Sequence, residues 1–257
     1  MTWTVEQVTD GRGRRYVIRD EAGEKLTLPS VTTILGSIPK GDGLTWWGFK
    51  LGVQAMLHHI STQDPDTYDL DYWYAACKTT DYAPHKALKA AGGRGTAVHL
   101  IGENLMKYGR LDELPAGSGA SDGYVDALVK FHSDYDVASW EVVEVEALLF
   151  SEEHRYAGQC DLIAKRPDGV YVVADWKTSK GIYESHTIQA AAYEHAAREM
   201  GLIPTDAKAE NLVVRLGDDG QYEVVRSRHG IEDFLVVKAM YEMLKSKDKK
   251  GVKLDAS

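Results

Sequence analysis

Residues 158–177, Gly158-Gln159-Cys160-Asp161-Leu162-Ile163-Ala164-Lys165-Arg166-Pro167-Asp168-Gly169-Val170-Tyr171-Val172-Val173-Ala174-Asp175-Trp176-Lys177, decide the fold. Short β-prone runs from Arg155 to Lys165 and from Val170 to Lys177 flank Arg166-Pro167-Asp168-Gly169, a turn signal, and predict an antiparallel hairpin. If the hairpin is symmetric about Asp168, Asp161 stands opposite Asp175. Like charges facing each other on a sheet need a cation, a shared proton or full solvation, and a divalent metal is the natural occupant. Strand alternation puts Lys177 on the side of Asp175 and Trp176 on the other. Two carboxylates and one ammonium suit phosphodiester hydrolysis. Oxygen ligands hold Mg²⁺ or Mn²⁺, the ion polarises the phosphate, and the lysine orients the attacking water or neutralises developing charge. An isolated Asp-x-Lys is more often a solvated edge with a weak ion pair. The facing Asp161 and the helix that follows shift the balance toward chemistry.

That helix, Ile182 to Met200, is Ala-rich and carries Gln189 and Tyr193 one turn apart on a single face. Upstream, Val142 to Ser151 alternates as a strand. Val143, Val145, Ala147 and Leu149 fall on one face, and Glu144, Glu146, Leu148 and Phe150 on the other. Glu146 is either a second-tier approach to the metal site or an exposed strand residue. Gly92-Gly93 interrupts a helical pattern that starts at Pro84, and a new helix is expected from Arg94 to about Tyr108. On it, His99 and the second-tier Glu103 share a face; a lone helical histidine is more often a packing residue than a ligand.

The N-terminal part reads as strands Trp3–Val8 and Arg15–Arg19 joined across residues 10–13, with a short third strand at Leu26–Leu28. Ser30 or Thr32 then caps a short helix whose start is a candidate phosphate contact. Leu44 to Met56 carries Trp46, Trp47 and Phe49 at helical spacing. Most of these aromatics are expected in the core, with one tryptophan, Trp46, free to stack on a base. Residues from Ile60 to Tyr82 give no clear assignment. A hairpin across Asp218-Asp219-Gly220 and a helix from Ile231 to Leu244 close the chain, followed by a basic run from Lys245 to Lys250.

The fold class expected from this order is α/β: a mixed central sheet flanked by helices, with an N-terminal β-hairpin and a helical lobe. The 257 residues are read as one domain: a β appendage at 1–28, a helical lobe at 29–138, an αβ core at 139–246 and a tail at 247–257. With 44% hydrophobic and 27% charged residues the composition is that of a folded chain. No stretch suits a bilayer and the start lacks a signal-peptide pattern, so a soluble, cytoplasmic protein is expected. A net charge of −9 opposes indiscriminate DNA binding, so any nucleic-acid contact must be local.

Taken together, Gly158-Gln159-Cys160-Asp161, Asp175-Trp176-Lys177-Thr178-Ser179-Lys180 and Gln189-Ala190-Ala191-Ala192-Tyr193 resemble the PD-(D/E)XK nuclease superfamily in its RecB-type branch. Gly95-Thr96-Ala97-Val98-His99 resembles that branch's upstream histidine motif. Pro29 to Leu35 with Leu44-Thr45-Trp46-Trp47 is similar to the opening of phage-type exonucleases and of the mitochondrial genome-maintenance exonuclease. The resemblance implies a restriction-endonuclease-like core and one or two Mg²⁺ or Mn²⁺ ions held by His99, Asp161, Asp175 and the carbonyl of Trp176. It further implies Lys177 as the catalytic lysine, Gln189 and Tyr193 as positioning groups, and Ser30 and Arg94 as contacts to the DNA backbone. Cys160 departs from the superfamily's proline. Two cysteines, Cys77 and Cys160, cannot hold an iron–sulfur cluster.

The expected activity is a metal-dependent DNA exonuclease acting on single strands or free ends in recombination, repair or replication. The rivals are a structure- or sequence-specific endonuclease on the same fold and a catalytically silent nucleic-acid-binding protein. Intact Asp161, Asp175 and Lys177 argue against the silent reading.

Overall fold

A computed structural model describes residues 4–10, 13–19, 22–39, 41–63 and 69–246. The tail from Lys247 and the turn residues Gly11-Arg12 lie outside the described residues. The hairpin at the centre forms as its sequence requires. Strand β4 (Glu141–Ser151) pairs antiparallel with β5 (Tyr156–Lys165), and β5 with β6 (Tyr171–Lys177), in a register that matches Leu162 with Ala174 and Lys165 with Tyr171. That register is symmetric about Asp168. Helix α6 (Glu184–Glu199) then crosses over and returns the chain to β7 (Ala209–Leu216), which runs parallel to β6. Strand β8 (Tyr222–Arg226) adds antiparallel to β7, completing a mixed sheet of order β4-β5-β6-β7-β8.

Both sheet faces are covered. On one, Val98, Ile101 and Leu105 of α4 (Pro84–Tyr108) and Ala127, Leu128 and Phe131 of α5 (Asp122–Asp134) pack on Leu162, Ala174 and Trp176. On the other, α6, α1 (Val31–Leu35) and α7 (Ile231–Lys245) cover Ile163 and Val173 through Ala192, Tyr193, Ile34 and Phe234. Trp176 fits into the first layer because α4 offers Gly102: a Cβ there would stand 3.1 Å from the indole Nε1. Among the described residues no helix is long and apolar enough to cross a membrane.

The N-terminal strands β1 (Thr4–Asp10), β2 (Gly13–Arg19) and β3 (Lys25–Pro29) form a separate three-stranded sheet. Tyr16, Ile18 and Leu28 anchor it against Phe150 and Ala157 at the β4–β5 end. A parallel bridge from Ser30 to Ala157 continues that junction.

Three sequence expectations are corrected. Gly92-Gly93 does not break a helix: α4 runs unbroken for 25 residues. Each glycine costs only about 1 kcal/mol relative to alanine, less than the buried face from Ala97 to Met106 returns. The aromatics of α2 (Gly43–Gln63) are not core, since Trp46 is 68% and Phe49 64% exposed. The unassigned region contains α3 (Leu70–Thr79), capped by Asp69 and packed against α2 without a single buried residue. The third correction concerns β4. Val145 joins the α4–α5 layer, whereas Ala147 and Leu149 join the α6 layer. Glu146 between them has φ 55°, a left-handed backbone that reverses which face the following residues take. Strand β5 switches in step, with Cys160 in the α6 layer and Leu162 in the α4–α5 layer.

Candidate active site

The switch in β4 and β5 turns Glu146 and Asp161 toward α4, and His99 meets them there. His99 Nδ1 lies 2.8 Å from Asp161 Oδ1 and 3.8 Å from Glu146 Oε1. The three side chains present ligand atoms within 4.8 Å of one another and could hold a metal ion. Asp161 is buried, and its second oxygen accepts the backbone N–H of Trp176 at 2.5 Å. Strand pairing ends at Leu162 and Ala174, and this carboxylate takes over the link between β5 and β6 just beyond. Glu146 is steadied by Gln159, whose amide donates to Oε2 at 2.6 Å.

Asp175 follows Ala174, at the position the register sets across from Asp161. It is buried, and its Oδ2 is ion-paired with the Lys177 ammonium. Burial raises its pKa, Lys177 opposes that shift and Asp161 adds to it. For His99 burial acts downward, but Asp161 first and then Glu146 and Asp175 outweigh it and push the imidazole up to about 10. His99 thus faces Asp161 and Glu146, while Lys177 faces Asp175.

The second face of the site belongs to α6. Gln189 Nε2 donates to the Tyr193 hydroxyl at 2.6 Å, as their one-turn spacing allows. Tyr193 turns its Cε1 edge to Gly158, where an added Cβ would stand 2.4 Å from that atom; the glycine of the motif makes room for the ring. Burial drives the Tyr193 hydroxyl well above its usual range, so it stays protonated as a donor. Two residues were missed by sequence reasoning. Gln159 sits inside the quoted motif and was passed over as a strand residue. His186 precedes Gln189 by one turn; burial and then the Lys177 charge lower it to about 4, and its Nδ1 accepts the Tyr183 N–H.

The remaining candidates are dispersed. Glu103 points away into an exposed ion pair with Lys107 at 2.7 Å and stands outside the cluster. Ser30 is buried and its hydroxyl is spent on capping, accepting the Thr33 N–H at 3.0 Å, so it presents no exposed donor to a phosphate; Thr32 is exposed. Trp46 lies on α2, edge-on to Phe49. Arg94 lies on α4 just over one turn before His99 and faces a cavity beside Thr178.

A mixed five-stranded sheet with helices on both faces, carrying carboxylates and a lysine on adjacent strands, defines a restriction-endonuclease-like nuclease. The chain belongs to the PD-(D/E)XK nuclease superfamily, whose profile matches residues 69–249. Nucleases of this superfamily act on nucleic acid with divalent metal ions, and the donor set found here fits such an ion. Carboxylates and one imidazole suit Mg²⁺ or Mn²⁺, and His99, Glu146 and Asp161 bring their ligand atoms within 4.8 Å of one another. No curated protein matches the chain. Among solved structures, SSO0001 aligns at 14% identity over 77% of this chain and 86% of its own, with a TM-score of 0.34. A Eubacterium rectale protein provisionally named an exonuclease aligns at 14% identity over 61% of this chain and 62% of its own, with a TM-score of 0.33. Likenesses this distant bear on neither the site nor the substrate.

Proposed function

We propose that the protein is a Mg²⁺- or Mn²⁺-dependent DNA exonuclease that shortens single strands from a free end. The observation that carries the reading is the cluster of His99, Glu146 and Asp161, whose ligand atoms lie within 4.8 Å of one another, beside the buried Asp175 ion-paired to Lys177. His99, Glu146, Asp161, Asp175 and the Trp176 carbonyl would hold the ion. Bound there, it would supply positive charge to polarise the scissile phosphate and acidify the attacking water.

The chain's own groups do the rest. Lys177 leaves Asp175 to donate to the attacking water or a phosphate oxygen, offsetting charge that grows in the transition state. The Gln189–Tyr193 pair, fixed on Gly158, presents a hydroxyl and an amide to the substrate at constant geometry. Asp161, tied to Trp176 N–H, keeps β5 and β6 from drifting apart. Contacts to phosphates and stacked bases read no sequence, which suits progressive removal of nucleotides.

Free ends are the testable part. Linear single-stranded DNA incubated with Mg²⁺ or Mn²⁺ is expected to give short oligonucleotides that accumulate from an end, while closed single-stranded circles survive. Rapid linearisation of the circles would replace the exonuclease with an endonuclease on the same catalytic groups.

A further inference from the structure

Beyond the catalytic cluster, the loop after β6 opens onto a cavity of about 270 Å³ lined by Arg94, Tyr124, Thr178, Ser179, Lys180 and Arg215, with Asp218 at its wall. In a chain of net charge −9 this is a concentration of three cations against one carboxylate. Among the described residues none of the three is ion-paired. Arg94 Nε is buried without an acceptor, and its guanidinium lies over the Tyr124 ring at 5.7 Å. Arg215 donates Nε to the Ser179 carbonyl at 3.0 Å, which pins the loop and aligns its guanidinium beside it. Thr178 Oγ1 stands 3.6 Å from where a Gly95 Cβ would be, so the glycine brings α4 close to the loop.

An unpaired buried donor among uncompensated cations is unfavourable for the protein alone and favourable for one that binds an anion. The location selects which anion. Thr178, Ser179 and Lys180 directly follow Lys177, so cavity and catalytic lysine are three residues apart, at most about 11 Å along the chain. We propose that this cavity is a second phosphate subsite, holding the internal phosphodiester of the bound strand adjacent to the one being cut, with Arg94, Lys180 and Arg215 as its donors. The proposal rests on the nuclease reading and adds a strand anchor to it. The subsite fixes the register of the backbone over the metal cluster without contacting a base, and it counters the overall negative field where the strand must enter.

The experiment combines protein and substrate substitutions. Arg215→Gln is expected to raise KM for a single-stranded oligonucleotide about tenfold with kcat little changed, as loss of uniform binding requires. It should also reduce by about one the slope of log affinity against log salt. Lys180→Gln, on an exposed loop residue that the fold does not depend on, should do the same to a smaller degree. Oligonucleotides carrying one uncharged methylphosphonate linkage locate the subsite. At the position next to the scissile bond the neutral linkage should raise KM for the natural chain but add nothing in Arg215→Gln; elsewhere the two effects should add. Additivity at every position, or an unchanged KM in both variants, overturns the proposal. So does a loss confined to removal of a terminal phosphate, which would make the cavity an end-recognition pocket. These outcomes leave cutting by the natural chain intact, whereas failure of the nuclease reading would show as no cutting by the natural chain at all.

Discussion

The central sheet and the α2–α3 pair spend similar residues in opposite ways. In the sheet layers Trp176, Tyr156, Phe131 and Phe234 are fully enclosed, and even the carboxylates of Asp161 and Asp175 are taken out of water. In α2 and α3, Leu44, Trp46, Phe49, Leu57, Leu70 and Tyr74 are exposed, and among the described residues Ala55 is the one buried. The two helices hold each other through ring edges, His59 against Tyr72 and Trp73. Burial converts apolar area into stability at about 25 cal/mol per Å², so the sheet carries the fold. An exposed apolar face of this extent is what a bound strand or partner covers. On the proposed function, the core performs the chemistry and the helical pair grips the substrate.

The comparison breaks most visibly at Asp175. Asp175→Asn should reduce cleavage below detection and weaken Mn²⁺ binding, while the metal-free fold stays intact or gains stability as carboxylate repulsion is relieved. Calorimetry that finds unaltered Mn²⁺ affinity would remove Asp175 from the metal site. Lys177→Ala comes next. It should keep metal and DNA binding and lose on the order of 10²-fold in rate, measured in single-turnover cleavage; near-normal cutting would make the lysine structural.

His99 sharpens the core's side of the comparison through pH. Its pKa of about 10 lies above the ordinary value of about 6.5, so its ion pair with Asp161 stabilises the metal-free chain fully below about pH 6.5. That contribution fades as pH rises through about 10. Metal binding runs the other way: ligation needs the neutral imidazole, so affinity should rise up to about tenfold per pH unit across this window. Mn²⁺ titrations in buffers of different ionisation enthalpy should reveal about one proton released near neutral pH, and no release would exclude His99 as a ligand. The smallest effect belongs to the lobe. Trp46→Ala should leave thermal stability unchanged and weaken single-stranded DNA binding by about tenfold, within the roughly 1–3 kcal/mol of a stacked base. A drop in Tm without a loss of affinity would make that helix part of the core after all.

Much was legible along the chain because it depends on neighbours in sequence. The turn Arg166-Pro167-Asp168-Gly169 set the hairpin register, and alternation paired Asp175 with Lys177. One-turn spacing joined Gln189 to Tyr193, and Ser30 capped its helix. These are local geometries, and local chemistry determines them. What the tertiary structure alone decided depends on which distant surfaces meet. Glycine propensity could not show that α4 continues through Gly92-Gly93, because the face that holds it down is the sheet. Periodicity could not separate a buried aromatic stripe from the bare one on α2, because the pattern is identical until a partner surface is present or missing. The left-handed residue at Glu146 was hidden for the same reason. A glutamate in a strand pattern alternates by default, and only the competing pull of two core layers on β4 and β5 makes the strand switch faces and deliver Glu146 and Asp161 to His99.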